Sequence, residues 1–337
     1  MKKQNYFLFL IVAAIILMMG CSSYDEKHAL VFKNYYQANL QTADKLISEE
    51  LKAMDKKDED RPLLLLEKAS ISLASNKPDD AVSSLIEADK MTEVLDLTGN
   101  PKKVGKYLFS DSSGMYRLQP HEQILINTMG MISFLMKNDL AGANVELRRA
   151  KSQERYWTKI RKQGLAKNPL VQFFGYLISL YRNKLSNLYY YKRELTKLMG
   201  EDTASNLLQG KKGNKDIVII VLNGKAPVKR EVKQRIHGTR IARLVTNTGF
   251  RGDYLIYPKL VQRRNPFKLA DVSINGNNFG QCADLLNVTS QAITRYEQEK
   301  DSIMIAAATR MAIRAAASTA AAVGTKEATK KSLGESG

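Results

Sequence analysis

A spacing of twelve and then seven residues recurs in the first half of the chain and limits its fold more than any other feature. Ala69, Ala81 and Ala88 keep it, and so do Met131, Ala143 and Ala150. Gly175 and Asn187 keep the twelve, and Glu194 then breaks the small-residue pattern. Around these positions apolar residues step by three and four. From Phe32 they run through Tyr36, Leu40, Ala43, Ile47, Leu51 and Met54, one face of a helix. A charged break over 55–60 ends that helix. Pro62 then sits where a first-turn proline is tolerated, after the capping candidate Asp60. Leu63 to Ala69 begins a second helix, residues 76–80 make a turn, and Ala81 to Ala88 make a third helix.

Helices paired at this spacing resemble a tetratricopeptide repeat (TPR), a unit of about 34 residues with small side chains where its two helices cross. Leu65 and Leu85 take the large apolar places. A second pair covers 124–136 and 141–150, with its turn at 137–139. A more degenerate third unit opens at Asn168-Pro169 and holds Phe173, Phe174, Gly175, Tyr176 and the run Tyr189-Tyr190-Tyr191. Irregular linkers separate the units, and residues 97–120 are expected to form a long loop. The pattern predicts a TPR-like helical domain over 32–210. Stacked repeats leave a concave surface for partners. Tyr156, Trp157, Tyr189, Tyr190 and Tyr191 are then candidates to line a groove for peptide or glycan. Packing between helices is the plainer reading of most of them.

The second half changes character. Residues 210–215 form a basic, glycine-containing linker. The β-branched run 216–222, ending at Asn223-Gly224, predicts a buried strand. Val228 to Ile236 predicts a basic, more exposed strand, 252–260 another extended segment, and 271–278 a strand with a tight turn. A helix is expected from Asn287. The sum is a small α+β domain over 214–300, an Ala-rich helix over 301–324 and a disordered tail over 325–337. Alanine fills ten of the eighteen positions from Ala306 to Val323. Arg310 and Arg314 share a face there, which argues against a membrane span. The fold class is α+β, mainly α.

The 337 residues carry a net charge of +18. That favours anionic partners: lipid headgroups, cell-wall polymers or acidic proteins. Lys229, Arg230, Lys233, Arg235, Arg263 and Arg264 are the candidate basic surface. His28, His121 and His237 lie far apart and no metal-ligand spacing occurs, so no metal and no cofactor are expected. Glu122 and the Arg148-Arg149 pair read as ion-pairing residues of adjacent helices. No nucleophile or acid pair is evident, and a non-enzymatic protein is expected. The two cysteines are Cys21 and Cys282, and the second has no internal partner once the first is modified.

The first twenty residues explain that modification. Lys2 and Lys3 precede the apolar run Tyr6 to Met19, and Gly20-Cys21 follows. A basic start, a short apolar core and a small-residue end describe a cleaved signal. A cysteine directly after Gly20 makes it a lipoprotein signal over 1–20, although Met18 stands where leucine is usual. Cleavage falls between Gly20 and Cys21, and acyl chains on Cys21 anchor the chain to the membrane. An uncleaved anchor and an ordinary secretory signal are the alternatives. Ser22 favours the periplasmic face of the outer membrane in a Gram-negative cell. Residues 21–31 are expected to be a lipid-anchored tether. Export to this compartment makes nucleic acid a poor partner.

Three stretches together resemble a poorly characterised family of bacterial cell-envelope lipoproteins with a TPR-like helical region. They are the signal with its cysteine, the block from His121 to Ala150, and Gly224 to Val232 with the later Tyr257 to Val261. The resemblance implies a scaffold or adaptor with an envelope protein partner and a link to cell-wall assembly. It carries over no catalytic residue. The alternative is a module that binds an anionic envelope polymer, peptidoglycan or lipopolysaccharide, through the basic C-terminal domain. Family members usually continue past the alanine-rich helix into a further segment expected to be β-rich, which puts the completeness of the C-terminal sheet in question.

Overall fold

The structure, a computed structural model, describes residues 24–97, 116, 118–160, 167–208, 218–237, 240–245, 250, 252–265 and 270–334. The signal expected over 1–20, Cys21 and most of the loop expected over 97–120 lie outside the described residues. The chain is mainly helical with a small antiparallel sheet region. It divides into two compact units, one through Lys90 and one from Met91.

The first unit contains α1 (Tyr24–Lys27), α2 (Ala29–Tyr36), α3 (Leu40–Ala53), α4 (Arg61–Ala74) and the start of α5 (Pro78–Leu97). Its core is Val31, Ala43, Ile47, Leu64 and Ile71, with Phe32, Tyr35, Leu46, Leu51 and Met54 packed against it. Two expectations change here. Helix begins at Tyr24 and Val31 is already core, so the stretch expected as a tether over 21–31 is helical for most of its length. The single helix expected from Phe32 to Met54 is two helices, broken where Ala38 turns left-handed at φ 59°. The apolar stepping survives the break, so periodicity alone could not reveal it. Asp60 occupies the N-cap position of α4 without capping it through its side chain. Arg61 does the tying there: it donates to Glu87 Oε1 at 2.8 Å and to the Leu51 carbonyl at 2.8 Å.

The second unit begins with α6 (Pro120–Met136) and α7 (Leu140–Arg155), the latter running into a π-helical turn (Tyr156–Ile160). Then come α8 (Pro169–Tyr181), α9 (Leu185–Met199) and α10 (Glu201–Leu208). Ala69, Ala81, Ala88, Met131, Ala143 and Ala150, the residues of the recurring spacing, are all fully buried. Four helical hairpins, α2–α3, α4–α5, α6–α7 and α8–α9, turn in the same way. Ala38, Asn76, Asn138 and Asn183 are left-handed, with φ between 53° and 59°. Each donates its N–H three residues back, and the next N–H reaches five back. In α4–α5 these bonds are Asn76 to Leu73 and Lys77 to Ser72. This is a Schellman closure, and asparagine is the usual substitute for glycine in it.

Beyond α10 the chain forms β1 (Val228–Arg235), α11 (Arg240–Val245), β2 (Tyr254–Val261), β3 (Asp271–Ile274), β4 (Asn277–Gln281) and α12 (Val288–Gly334). β1 and β2 pair antiparallel, with Val232 opposite Tyr257 and Gln234 opposite Leu255. β3 and β4 form a separate ribbon turning at Asn275 and Gly276, both with positive φ, as a tight hairpin demands. Leu255 and Tyr257 face a core of Ile236, Val245, Met304, Ala307 and Ala308. Alanines 307 and 308 thus let α12 lie close to the ribbon. The Tyr296 hydroxyl adds a bond to the Pro258 carbonyl at 3.1 Å.

Two sequence expectations fail in this region. The buried strand expected over 216–222 is absent among its described residues: Val218 to Leu222 are irregular and exposed. A buried strand needs neighbours on both sides, and composition does not supply them. The helix expected from Asn287 begins at Val288 and runs unbroken through the one expected over 301–324, and the disordered tail expected over 325–337 is helical as far as Gly334.

Candidate functional site

Helix α9 lines an open surface depression. Ser186, Tyr189, Tyr190, Lys192, Arg193, Thr196 and Lys197, with Glu201 from the start of α10, surround an open depression of about 630 Å³. Three cations face one carboxylate. The three consecutive tyrosines diverge because each residue of a helix turns about 100° from the last. Tyr189 is 79% exposed, whereas Tyr191 is 5% exposed and packs in the core. Tyr190 lies edge-on to Tyr191, with centroids 5.1 Å apart.

The charges behind the cleft are ordered by Glu194. Its buried carboxylate binds Lys167, meets Lys197 at 3.3 Å and lies 4.0 Å from Arg193. The Lys167 hydrogen bond holds Glu194 below the ordinary carboxyl range, against burial and with help from Lys197. Lys151 Nζ stands 4.6 Å from the Tyr190 ring centroid and 4.9 Å from that of Tyr191. Burial lowers the Lys151 pKa, against the charges of Glu154 and Glu194. The cleft therefore offers an exposed aromatic ring beside a fixed set of cations. It can hold a flat or apolar group and an anionic one together.

The aromatic candidates divide accordingly. Tyr189 and Tyr190 line the cleft. Trp157 is buried and donates its indole N–H to Gln123 Oε1 at 2.9 Å, and Tyr156 packs edge-on against it. Trp157, Tyr156 and Tyr191 are packing residues. The basic candidates also divide. Strand alternation places Lys229, Lys233 and Arg235 on the face of β1 opposite the α12 core, and Arg230 on the other face, opposite Lys259. Arg263 donates Nε to the Ala226 carbonyl at 2.6 Å, and Arg264 is exposed beyond β2.

A half-buried acid and a buried histidine could attract a catalytic reading. Glu122 accepts from the Tyr116 hydroxyl at 2.7 Å and from its N-cap Gln119 N–H at 2.7 Å, closing a capping box. Among the described residues it pairs with no arginine, and Arg149 pairs with Glu146 on its own helix at 3.3 Å. His121 is buried, and desolvation with the nearby Arg295 charge lowers it to about 4, against the Glu299 charge. Its Nδ1 has no hydrogen-bond partner among the described residues. Neither group opens onto the α9 cleft. Among the described residues no His, Cys, Asp and Glu cluster could hold a metal, and no helix is long and apolar enough to cross a membrane. Comparison with protein-family models, with curated proteins and with solved structures finds no match to this chain.

Proposed function

We propose that the protein is a membrane-anchored bacterial lipoprotein of the cell envelope that acts as a non-enzymatic scaffold or adaptor. Lipid on Cys21 holds it to the periplasmic face of the outer membrane. Its similarly closed hairpins are TPR-like units, and the last of them presents the α9 cleft to a protein partner linked to cell-wall assembly. The observation that carries this reading is Tyr189, 79% exposed beside Lys192, Arg193 and Lys197 on a helix whose other face is already packed. An aromatic ring left in water next to cations is the composition of an interface anchor. The partner's matching patch combines an apolar side chain with carboxylates.

The test is photo-crosslinking in living cells from a reactive residue placed at position 189. A discrete adduct is expected, reduced about tenfold by Lys192→Glu with Arg193→Glu, since paired rim charges are worth roughly 1.4 kcal/mol together. A reactive residue at position 145, on exposed Val145 of α7, gives the background. Equal labelling from both positions contradicts the reading.

A second reading takes the C-terminal basic residues as a binding module for an anionic envelope polymer, peptidoglycan or lipopolysaccharide. The shared face of Lys229, Lys233 and Arg235 favours it.

A further inference from the structure

The face of the β1–β2 ribbon turned away from α12 is two-sided in its chemistry. On β1 it carries Lys229, Glu231, Lys233 and Arg235. The residues directly opposite on β2 are Leu260, Pro258, Ile256 and Tyr254. Cations in one row therefore lie beside apolar and aromatic side chains in the next. Tyr254 is 45% exposed and Ile256 38%. Lys233 Nζ sits 4.7 Å from the Tyr254 ring centroid, so charge and ring form one patch. Lys229 stands at the far end, where its charge also reaches the half-buried Glu122 carboxyl of α6.

The chain entering this ribbon extends the same chemistry. Val218, Ile219, Ile220, Val221 and Leu222 are between 36 and 61% exposed. The bond from Arg263 to the Ala226 carbonyl ties the chain just before β1 to the end of β2. Apolar side chains in this number normally find cover.

The geometry points to this ribbon face as a docking surface for an anionic phospholipid bilayer. The inference starts from the same cations as the second reading above and gives them a lipid surface in place of a polymer. A hydrated polymer would satisfy the cations and leave Ile256 and the 218–222 segment in water. A bilayer interface satisfies both rows: phosphates meet Lys233 and Arg235, Tyr254 sits at headgroup depth, and the aliphatic side chains enter the upper acyl region. Glu231 on the same face reduces the net charge and leaves cations in excess.

Bromolipid quenching tests this on the full-length chain, whose Cys21 or leader attachment is the same in every variant. A single indole is placed by Tyr254→Trp in a Trp157→Phe background. It is read on vesicles of phosphatidylethanolamine with phosphatidylglycerol, brominated in the acyl chains, and on brominated phosphatidylcholine vesicles. Quenching is expected on the anionic vesicles only, with loss in high salt. Each cation replaced among Lys229, Lys233 and Arg235 should weaken contact about fivefold, so their joint change to Glu abolishes it. An indole placed by Tyr181→Trp, on exposed Tyr181 of α8, should stay unquenched. No quenching at 254, or equal quenching on neutral vesicles, overturns the inference. Sedimentation with purified peptidoglycan separates the two ideas. Polymer binding lost in the triple variant, without quenching at 254, overturns the lipid assignment and keeps the second reading. Absence of both overturns both.

Discussion

Asp44→Ala is expected to destabilise the first unit by about 3–5 kcal/mol, the usual consequence of stranding one member of a buried ion pair. Asp44 is buried on α3. It accepts from Lys68, itself buried on α4, and from Lys77 in the α4–α5 turn at 2.7 Å. One carboxylate thus joins three successive parts of the helical stack. Removing it leaves the Lys68 ammonium in a dry site with no counter-charge. Asp44→Ala with Lys68→Met should recover most of the loss, because a buried pair can be exchanged for apolar packing at little cost. Hydrogen exchange of the α3 and α4 amides is the readout, since a chain of two units need not unfold in one step.

The same pair sets a pH dependence. Burial alone would raise Asp44, and the hydrogen bonds from Lys68 and Lys77 outweigh it and hold the group below its ordinary value of 3.8. The folded state therefore disfavours protonation. The contribution is complete above the ordinary value and disappears as pH falls through the lower, folded one. Protection of α3 and α4 should fall in that acid window in the wild type. The double variant should lack that component of the fall.

Gly175→Ala is the second large effect. A Cβ at Gly175 would lie less than 3.0 Å from three ring atoms of Tyr191. That ring is buried and cannot swing clear, and its hydroxyl lies 3.3 Å from Lys151 Nζ. Overpacking of this kind costs about 1–3 kcal/mol. In a Tyr191→Leu background the ring is gone, and the sign should reverse, since alanine is favoured over glycine in a helix by up to about 1 kcal/mol. Thermal unfolding of the four chains gives the coupling. Because Tyr191 supports Tyr190, Gly175→Ala should also disturb the α9 cleft.

These two sites show what was legible in the sequence. The hairpin turns at 76–80 and 137–139 were, because asparagine between two apolar-periodic segments has a local conformational reason to be there. The hairpin at Asn275-Gly276 was legible on the same ground. The turn at Ala38 was not, since alanine carries no left-handed preference and the apolar stepping runs through it. Asp44 was hidden as well: one acid on an amphipathic helix gives no sign that two lysines from the next hairpin converge on it. The run from Val218 to Leu222 has strand composition, yet its burial depended on neighbours that local pattern cannot supply. The cleft was half visible. Helical rotation alone separates Tyr189 from Tyr191, but which of them faces water is decided by Gly175 on the adjacent helix.

Fatty-acid labelling of Cys21 tests the central claim most directly, because the proposed place of action depends on that anchor. Cells expressing the full chain are grown with a clickable palmitate analogue, alongside Cys21→Ser. The account predicts label on the wild-type chain and none on Cys21→Ser, with the wild type alone retained in the outer-membrane fraction. An unlabelled wild-type chain, or equal label on both, would contradict it.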